Sequence, residues 1–455
     1  MRYQRELSAG EHYDLIVCGG GYSGFATAFS AAREGKRVLL LEAGYCLGGV
    51  GTAGLVNHIL GVRYREGDRF HTCVKGLFSR LEETLVAAGD GVDYKSIPRD
   101  LNPYGWKPGL SAGLVYDAES MKALLEKELS DLGVRILYGT HVIDAVREGG
   151  RVTGVVVHNK SGLALYTADY FADATGDGDL CALAGAEFLL GDEEGGLAAA
   201  SLEMHVENVD DQALENYMKE TGDLRFISII EDLKARGLWH FPYEIFISVR
   251  MTRPGVYMIN TIRQVGINGI DADSVTRAVL EGRRENYELL RVMRAHFPGF
   301  AHATVRHVAP AVGIRETRRL VCEYTLTVQD LIEAKEFEDS IALSGYSWDL
   351  PNPKKPSHQP YHGVKRKSRV TEIPYRTLLP RGLCNVIAVG RCIGVEREAL
   401  GPVRVMGPCL AMGEAAGIAV SLAGDRGVGL LQVDAAELRA RLRVCGALVS
   451  RCEVE

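Results

Sequence analysis

Six residues near the start of the chain, Gly19-Gly20-Gly21-Tyr22-Ser23-Gly24, have the spacing that lets a backbone cradle a pyrophosphate, and Glu42 follows them. In a G-x-G-x-x-G turn, Gly19 permits the tight turn, Gly21 lets the backbone approach the phosphates, and Gly24 lets a helix pack close to a sheet. The helix N-terminus adds N–H groups and positive dipole. Glu42 can accept hydrogen bonds from ribose hydroxyls. With no adjacent arginine, it disfavours a 2′-phosphate and therefore NADP. Alone the glycine pattern is a weak signal, because Gly-rich turns are common. The surrounding elements strengthen it: residues 13–18 read as a buried strand, 25–33 as a small-residue helix, and 36–41 as a second apolar strand ending in the acid. That is a complete βαβ unit with the turn in place, so a dinucleotide is expected at Gly19, Gly21, Tyr22, Ser23, Gly24 and Glu42.

The chain of 455 residues is too long for one ordinary core, which makes two connected domains the expectation. Hydrophobic content of 46% and charged content of 24% fit a soluble globular protein. A net charge of −7 gives no general attraction to nucleic acid or anionic membrane. No apolar run approaches the ~20 residues that span a bilayer. The opening Met1-Arg2-Tyr3-Gln4-Arg5-Glu6 lacks the apolar core of a leader, so a cytoplasmic location is expected. The 10 cysteines show no C-x-x-C pairing, which points to reduced core thiols and to no zinc or dithiol site.

A second glycine-dense loop, Leu47-Gly48-Gly49-Val50-Gly51-Thr52-Ala53-Gly54, follows Glu42 and implies close backbone approach to a ligand. Helices are expected at 74–89 and 120–132, the latter capped by Asp117. Strands at 134–138, 142–147 and 152–158 follow, the last two joined as a hairpin by Glu148-Gly149-Gly150. Residues 166–171 lead into Ala172-Asp173-Ala174-Thr175-Gly176-Asp177-Gly178-Asp179, a strand and turn returning to the first domain. From about 190 to 375 aromatics and arginines rise, with strands expected at 245–249 and 256–262 and helices at 271–296 and 327–337. The proline-rich stretch 351–360 cannot be regular structure, and the basic run 365–369 beside it reads as a solvated loop ahead of an anion-binding lid. A strand at 385–389 ends in Gly390-Arg391, and a small-residue helix closes the domain.

Together these segments, with Val389-Gly390-Arg391 and the 407–417 stretch, resemble the FAD-dependent oxidoreductases of the glutathione-reductase-type FAD fold, on the branch nearest to fumarate reductase and succinate dehydrogenase flavoproteins. Val312-Gly313-Ile314-Arg315-Glu316-Thr317-Arg318-Arg319 and the 408–417 run strengthen the likeness, which covers about 12–423. It implies an α/β fold: a Rossmann-like FAD-binding domain (parallel sheet plus β-hairpin layer) at 1–190 and 376–455, with an inserted α+β substrate domain at 191–375. It also implies FAD, with the pyrophosphate at Gly19, Gly21 and Gly24 and the adenosine ribose on Glu42 beside Ala43. Val142 would meet the adenine edge through its backbone, and Gly48, Gly49, Thr52, Ala174, Thr175, Gly176, Asp177, Gly390 and Arg391 would flank the cofactor. The last helix would aim its start, Gly407 to Leu410, at the flavin pyrimidine, with Cys409 and Leu410 as donors to charge developing there. Val50 and Gly51 stand where related flavoproteins carry a reactive cysteine pair or a flavin-linking histidine, so non-covalent FAD without dithiol chemistry is expected.

Hydride exchange with a flavin needs a group for the proton and groups that hold the substrate. Arg315, in a run with three arginines in five residues, is the first candidate; Arg404, just before the last helix, and His58, after the glycine loop, are the others. Against these stand a salt-bridge role for Arg404, a core role for His58, and pairing of one arginine with Glu316 or Glu323. Asp177 and Asp179 lack the ligand spacing of a metal site, and no metal is expected. The leading expectation is oxidation of a CH–OH or CH–CH unit in a small anionic or polyhydroxylated molecule, with an unidentified electron acceptor and a possible homo-oligomer. The rivals are a flavin-dependent C=C reductase, an FAD-binding electron-transfer subunit, and a flavin-dependent tRNA-modifying protein. The last is disfavoured by the acidic charge, and neither nucleic acid nor membrane is expected as a partner.

Overall fold

In the computed structural model, the described residues are 6–67, 69–98, 101–106 and 113–454. Met1 to Arg5, most of the segment read against a leader, lie outside them. The largest sheet is assembled from distant parts of the chain. Strands β1 (Ser8–Cys18), β2 (Val38–Leu41), β3 (Arg135–Leu137), β4 (His141–Glu148), β5 (Arg151–Asn159) and β6 (Gly162–Asp173) run in the order β3-β2-β1-β6-β5-β4. Pairings among β3, β2, β1 and β6 are parallel, whereas β6-β5-β4 is an antiparallel meander. The last strand of the sheet, Val386–Ala388, returns near the C-terminus to pair in parallel with the end of β6.

Both faces of this sheet are covered, which is why its strands read as continuous apolar runs. Leu15, Val17, Val38 and Leu40 face helix α1 (Tyr22–Arg33) and the long C-terminal helix Met406–Arg426, while Ile16, Cys18, Leu39 and Leu41 belong to a second cluster with Val152, Val155 and Val157 of the meander. The two helices touch backbone to backbone. A Cβ at Gly413 would lie 2.2 Å from Ser23 O, and one at Gly417 would lie 2.5 Å from Thr27 O. Helix Met406–Arg426 is, by length and composition, able to cross a membrane, contrary to the reading that no apolar run approaches that length. With 89% of its apolar window buried inside the protein, it serves as a core helix.

A carboxylate lies in that core. Glu414 is 2% exposed and accepts Leu77 N–H (3.2 Å), and burial pushes its carboxyl from 4.5 up to about 7. The folded state therefore holds this proton to higher pH than the unfolded chain, and stability falls as pH rises from about 4.5 through 7. Glu414→Gln is expected to raise the unfolding temperature above wild type near pH 8 and to match it near pH 5, a difference of order ~3 kcal/mol checked by thermal scans at both pH values.

A second sheet, four-stranded and antiparallel, comes from the middle of the chain: Ser248–Arg250, Tyr257–Ile259, Met204–Glu207 and Thr304–Val308, neighbours in that order. The strands expected at 245–249 and 256–262 are thus shorter, and that at 245–249 is displaced by a few residues. Phe226, Trp239, Phe246, Phe297 and Phe300 fill its core against the helix Ala272–His296, which Asp271 caps. The helix expected at 327–337 is the short Val328–Glu333. Beyond it, the strand pair Ser340–Ser344 and Thr371–Pro374 joins the same apolar cluster as α1 and the C-terminal helix, so the stretch 191–375 contributes to both cores. The proline-rich 351–360 is irregular, and Arg366 of the basic run is not simply solvated: it donates to Tyr346 O (2.8 Å) and lies over Trp348.

Candidate active site

The loop between β1 and α1 has the form a pyrophosphate requires. Gly19 has φ +103°, a left-handed conformation that bulkier residues resist, and a Cβ there would strike Ala174 O at 2.4 Å. A Cβ at Gly24 would be 1.9 Å from Gly19 O, so only glycine lets α1 begin against the turn. At Gly21 a Cβ would meet nothing within 4 Å. No side chain caps α1, and its first ladder bond is Phe25 N–H to Gly21 O (2.8 Å). The N–H groups of the first turn are thus left to an anion in the open space beside Gly21. These residues fit a dinucleotide phosphate.

Glu42, at the end of β2, accepts Gly20 N–H and Gly44 N–H (both 2.6 Å), one on each oxygen, which fixes its carboxylate at the loop and leaves further lone pairs for ribose hydroxyls. Ala43 is exposed beside it. Gly48 N–H is held by Gly20 O (2.8 Å), which draws the second glycine loop, with Gly49, against the first. Val142 lies on β4, the edge strand of the meander, so one backbone edge is unpaired in the sheet. Ala174 N–H bonds Cys18 O (2.8 Å), placing Thr175 and Gly176 beside Gly19. Gly390 lies against Ser23, where a Cβ would come within 2.6 Å of Ser23 Oγ.

Several expected cofactor contacts take other partners in the structure. Tyr22 is 5% exposed and its hydroxyl bonds Tyr116 Oη (2.9 Å), which leaves only its backbone to the groove. Thr52 is wholly buried with its hydroxyl turned to Leu47 O, because the loop needs that bond to close its 3-10 turn. Asp177 and Arg391 pair with each other (2.8 Å), and Asp177 also accepts Thr317 Oγ1–H (2.6 Å), so they act as a clamp between the first sheet and the 313–319 run. At the C-terminal helix the expected donors are displaced. Gly407 N–H goes to Leu60 O (3.1 Å) and Cys409 N–H to Val405 O (3.2 Å), while Leu410 lies inside the helix. The helix begins at Met406, earlier than expected, so its ladder-free N–H groups are those of Val405 and Met406.

Of the three residues expected to carry chemistry, Arg315 and Arg404 lie near enough to repel each other, but the three differ in their partners. His58 is 3% exposed in a short ladder with Val115. Arg404 has a partner already: it donates to Asp349 O (2.7 Å) and lies 3.4 Å from the Asp349 carboxylate. Arg318 pairs with Asp179, and Arg319 with Glu316 (both 2.7 Å). Arg315 differs from them all. It is buried, donating Nη1–H to Ala199 O (2.7 Å) and Nη2–H to Ser201 Oγ (3.0 Å), and no carboxylate lies within 4 Å of it among the described residues. Burial, then repulsion from Arg263 and Arg404, pulls its guanidinium down to about 9.

Residues that the sequence reading missed complete this cluster. Arg263, 5% exposed, bonds Asn260 O (3.0 Å) and lies 4.5 Å from the Tyr243 ring centroid; its Nε is buried without a hydrogen bond. Arg225, 8% exposed, has Nη1 in the same condition and is drawn down by burial next to Tyr243 and Tyr346. Glu203, 1% exposed, accepts Ser201 Oγ–H (2.9 Å). The available signal was an acid and a histidine at alternate positions of the apolar run Leu202-Glu203-Met204-His205-Val206. His205 bonds Leu55 O (2.9 Å), tying that strand to the second glycine loop, and a cavity of about 260 Å³ opens along this seam, lined by Leu55, His205 and Arg306 but not by Glu203 or the three arginines. Arg263 and Arg315 both act on the buried Glu203, and Arg225 adjoins them through Tyr243; two guanidiniums around one acid make a desolvated, positively biased site whose natural complement is an anion.

A family model described as FAD dependent oxidoreductase matches residues 14–442 of the chain. A Dictyostelium discoideum protein named as a bifunctional amine oxidase is 40% identical over 84 residues, which is 18% of this chain and 7% of that protein. Among solved structures, a geranylgeranyl bacteriochlorophyll reductase-like protein from Thermoplasma acidophilum is 13% identical, with 97% of this chain and 93% of that one covered, at a TM-score of 0.45. The flavin-dependent brominase Bmp2 is 14% identical, with 95% and 83% covered, at a TM-score of 0.46. On the match over nearly its whole length, the chain belongs to the FAD dependent oxidoreductase family and is a flavoenzyme with FAD as its cofactor.

Proposed function

We propose that this enzyme exchanges a hydride with a small carboxylate-bearing substrate, most simply by oxidising a CH–OH or CH–CH unit. The observation that carries this is the buried group Arg225, Arg263 and Arg315, none with a carboxylate within 4 Å among the described residues. Such guanidiniums would bind a carboxylate in two-pronged fashion and hold it against water. FAD, once bound, supplies the acceptor or donor of the hydride. Its pyrophosphate would lie over Gly21 and the start of α1, and its ribose on Glu42. Val405 and Met406 would offer N–H groups to negative charge on the ring. The sheet built from 204–308 would roof the substrate. The likeness of the glycine segments to fumarate reductase and succinate dehydrogenase flavoproteins supports placing the chain on that branch. Its 10 cysteines, all free, support a cytoplasmic location, and the net charge of −7 supports action on a small molecule rather than on nucleic acid or a membrane.

Anaerobic mixing of the FAD-loaded enzyme with hydroxy acids, sugars and amino acids tests the reading. Bleaching of the flavin's visible absorption is expected with one or more acids. No bleaching by any of them, together with ready reduction by NADH, would reverse the direction to that of a reductase.

A further inference from the structure

Glu203 lacks the partners a buried carboxylate needs. Its Oε1 accepts Ser201 Oγ–H (2.9 Å), but Oε2 is buried with no hydrogen bond among the described residues. The same Ser201 oxygen accepts Arg315 Nη2–H (3.0 Å), so one hydroxyl links the acid to the unpaired guanidinium. The charged groups acting on Glu203 are Arg263, after the strand Tyr257–Ile259, and Arg315; Asp349 and Arg404 act on Arg315 in turn. Ser201 itself is anchored to the 313–319 run by two backbone bonds with Gly313 (3.1 and 2.7 Å). An ionised carboxylate half unsatisfied in such a place is costly, and two guanidiniums sharing one acid have spare charge.

We propose that Glu203, Arg263 and Arg315 form a proton-linked carboxylate site, in which a substrate carboxylate replaces Glu203 as counter-ion to the arginines and Glu203 takes up one proton as it binds. The inference rests on the anionic-substrate reading above and adds the proton to it. Two carboxylates at one desolvated site do not both stay ionised, and the one already lacking partners yields. Burial has moved Glu203 up to about 7, so the linkage falls in an accessible range. Where Glu203 is already protonated, binding needs no proton. As pH rises through that value, affinity falls by up to about tenfold per pH unit.

The test is calorimetric titration of the FAD-loaded enzyme with oxalate, which stays ionised throughout, between about pH 6 and pH 8, below the range in which Arg315 loses its proton, and in two buffers of different ionisation enthalpy. Wild type should bind oxalate with affinity falling toward high pH and with uptake approaching one proton. Glu203→Gln should bind with no pH slope in that range and no uptake. Ser201→Ala, which removes the link and keeps the acid, should retain the uptake with a shifted midpoint. Oxalate binding without proton uptake in wild type, or an unchanged slope in Glu203→Gln, overturns this inference and leaves the anionic substrate standing. No oxalate binding by wild type at any pH overturns the anionic-substrate reading itself.

Discussion

Gly21→Val is expected to abolish FAD binding while leaving the apoprotein nearly as stable as wild type. Gly21 has φ −63° and ψ −179°, a conformation any residue adopts, and a Cβ there would meet nothing within 4 Å. The Cβ would therefore enter free space, and the change in unfolding free energy should stay within about 1 kcal/mol, the scale of a less favourable N-cap residue. That same space is where the phosphates must approach the backbone. Loss of their contact with the first-turn N–H groups should weaken FAD by at least about a hundredfold, or about 3 kcal/mol. Fluorescence titration with FAD and a thermal scan of the apoprotein separate the two effects. Gly24→Ala makes the contrast: its methyl would lie 1.9 Å from Gly19 O, so it should lose FAD by damaging the β1–α1 packing, with a lowered unfolding temperature. Wild-type FAD affinity in Gly21→Val would remove the phosphates from this loop.

Arg315→Ala should retain FAD and lose the substrate. Removing a buried guanidinium from a carboxylate costs about 2–5 kcal/mol, which corresponds to a loss of about 30-fold to several thousand-fold in affinity or in flavin reduction. Arg315→Lys should recover only part of this, because an ammonium cannot reach Ala199 O and Ser201 Oγ and still present a two-pronged face to a ligand. Arg404→Ala should cost less, since that guanidinium already has the Asp349 carboxylate beside it. Comparing oxalate binding and FAD content across the three variants checks this order. An Arg404 effect larger than that of Arg315 would move the site toward the start of the C-terminal helix.

The elements that hold the dinucleotide were legible because each rests on a local rule. Residues 13–42 announce strand, turn, helix and strand by periodicity and glycine spacing, and the hairpin of β4 and β5 by alternation and a Gly-Gly turn, whereas the antiparallel pairing of β6 that extends it to a meander was not read. The helix Met406–Arg426 begins within a residue of its expected start, with Pro408 in the first turn as read, and composition does not mark so small an offset. That shift moved the open donors from Cys409 and Leu410 to Val405 and Met406. Length and hydropathy also failed to separate this core helix from a membrane span, a distinction that only its packing on α1 makes. The arginine site was half legible. Arg315 stood out in a dense run, but the choice of Arg263 and Arg225 rather than Arg318 and Arg319 is made by tertiary pairing: Asp179 and Glu316 bond the latter two directly, whereas among the described residues no carboxylate lies within 4 Å of the former. Glu203 and Arg315 meet only because Ser201 and Gly313 bond across more than a hundred residues of chain.

The central claim, that buried arginines select a carboxylate for hydride exchange with FAD, is met most directly by one comparison. The FAD-loaded enzyme is mixed anaerobically with the hydroxy acid that bleaches it fastest and, separately, with the methyl ester of the same acid. The two share the reacting carbon and differ in charge. Rapid bleaching by the acid and at least about a hundredfold slower bleaching by the ester is the predicted result, as expected from loss of a desolvated ion pair. Equal rates for acid and ester would contradict it.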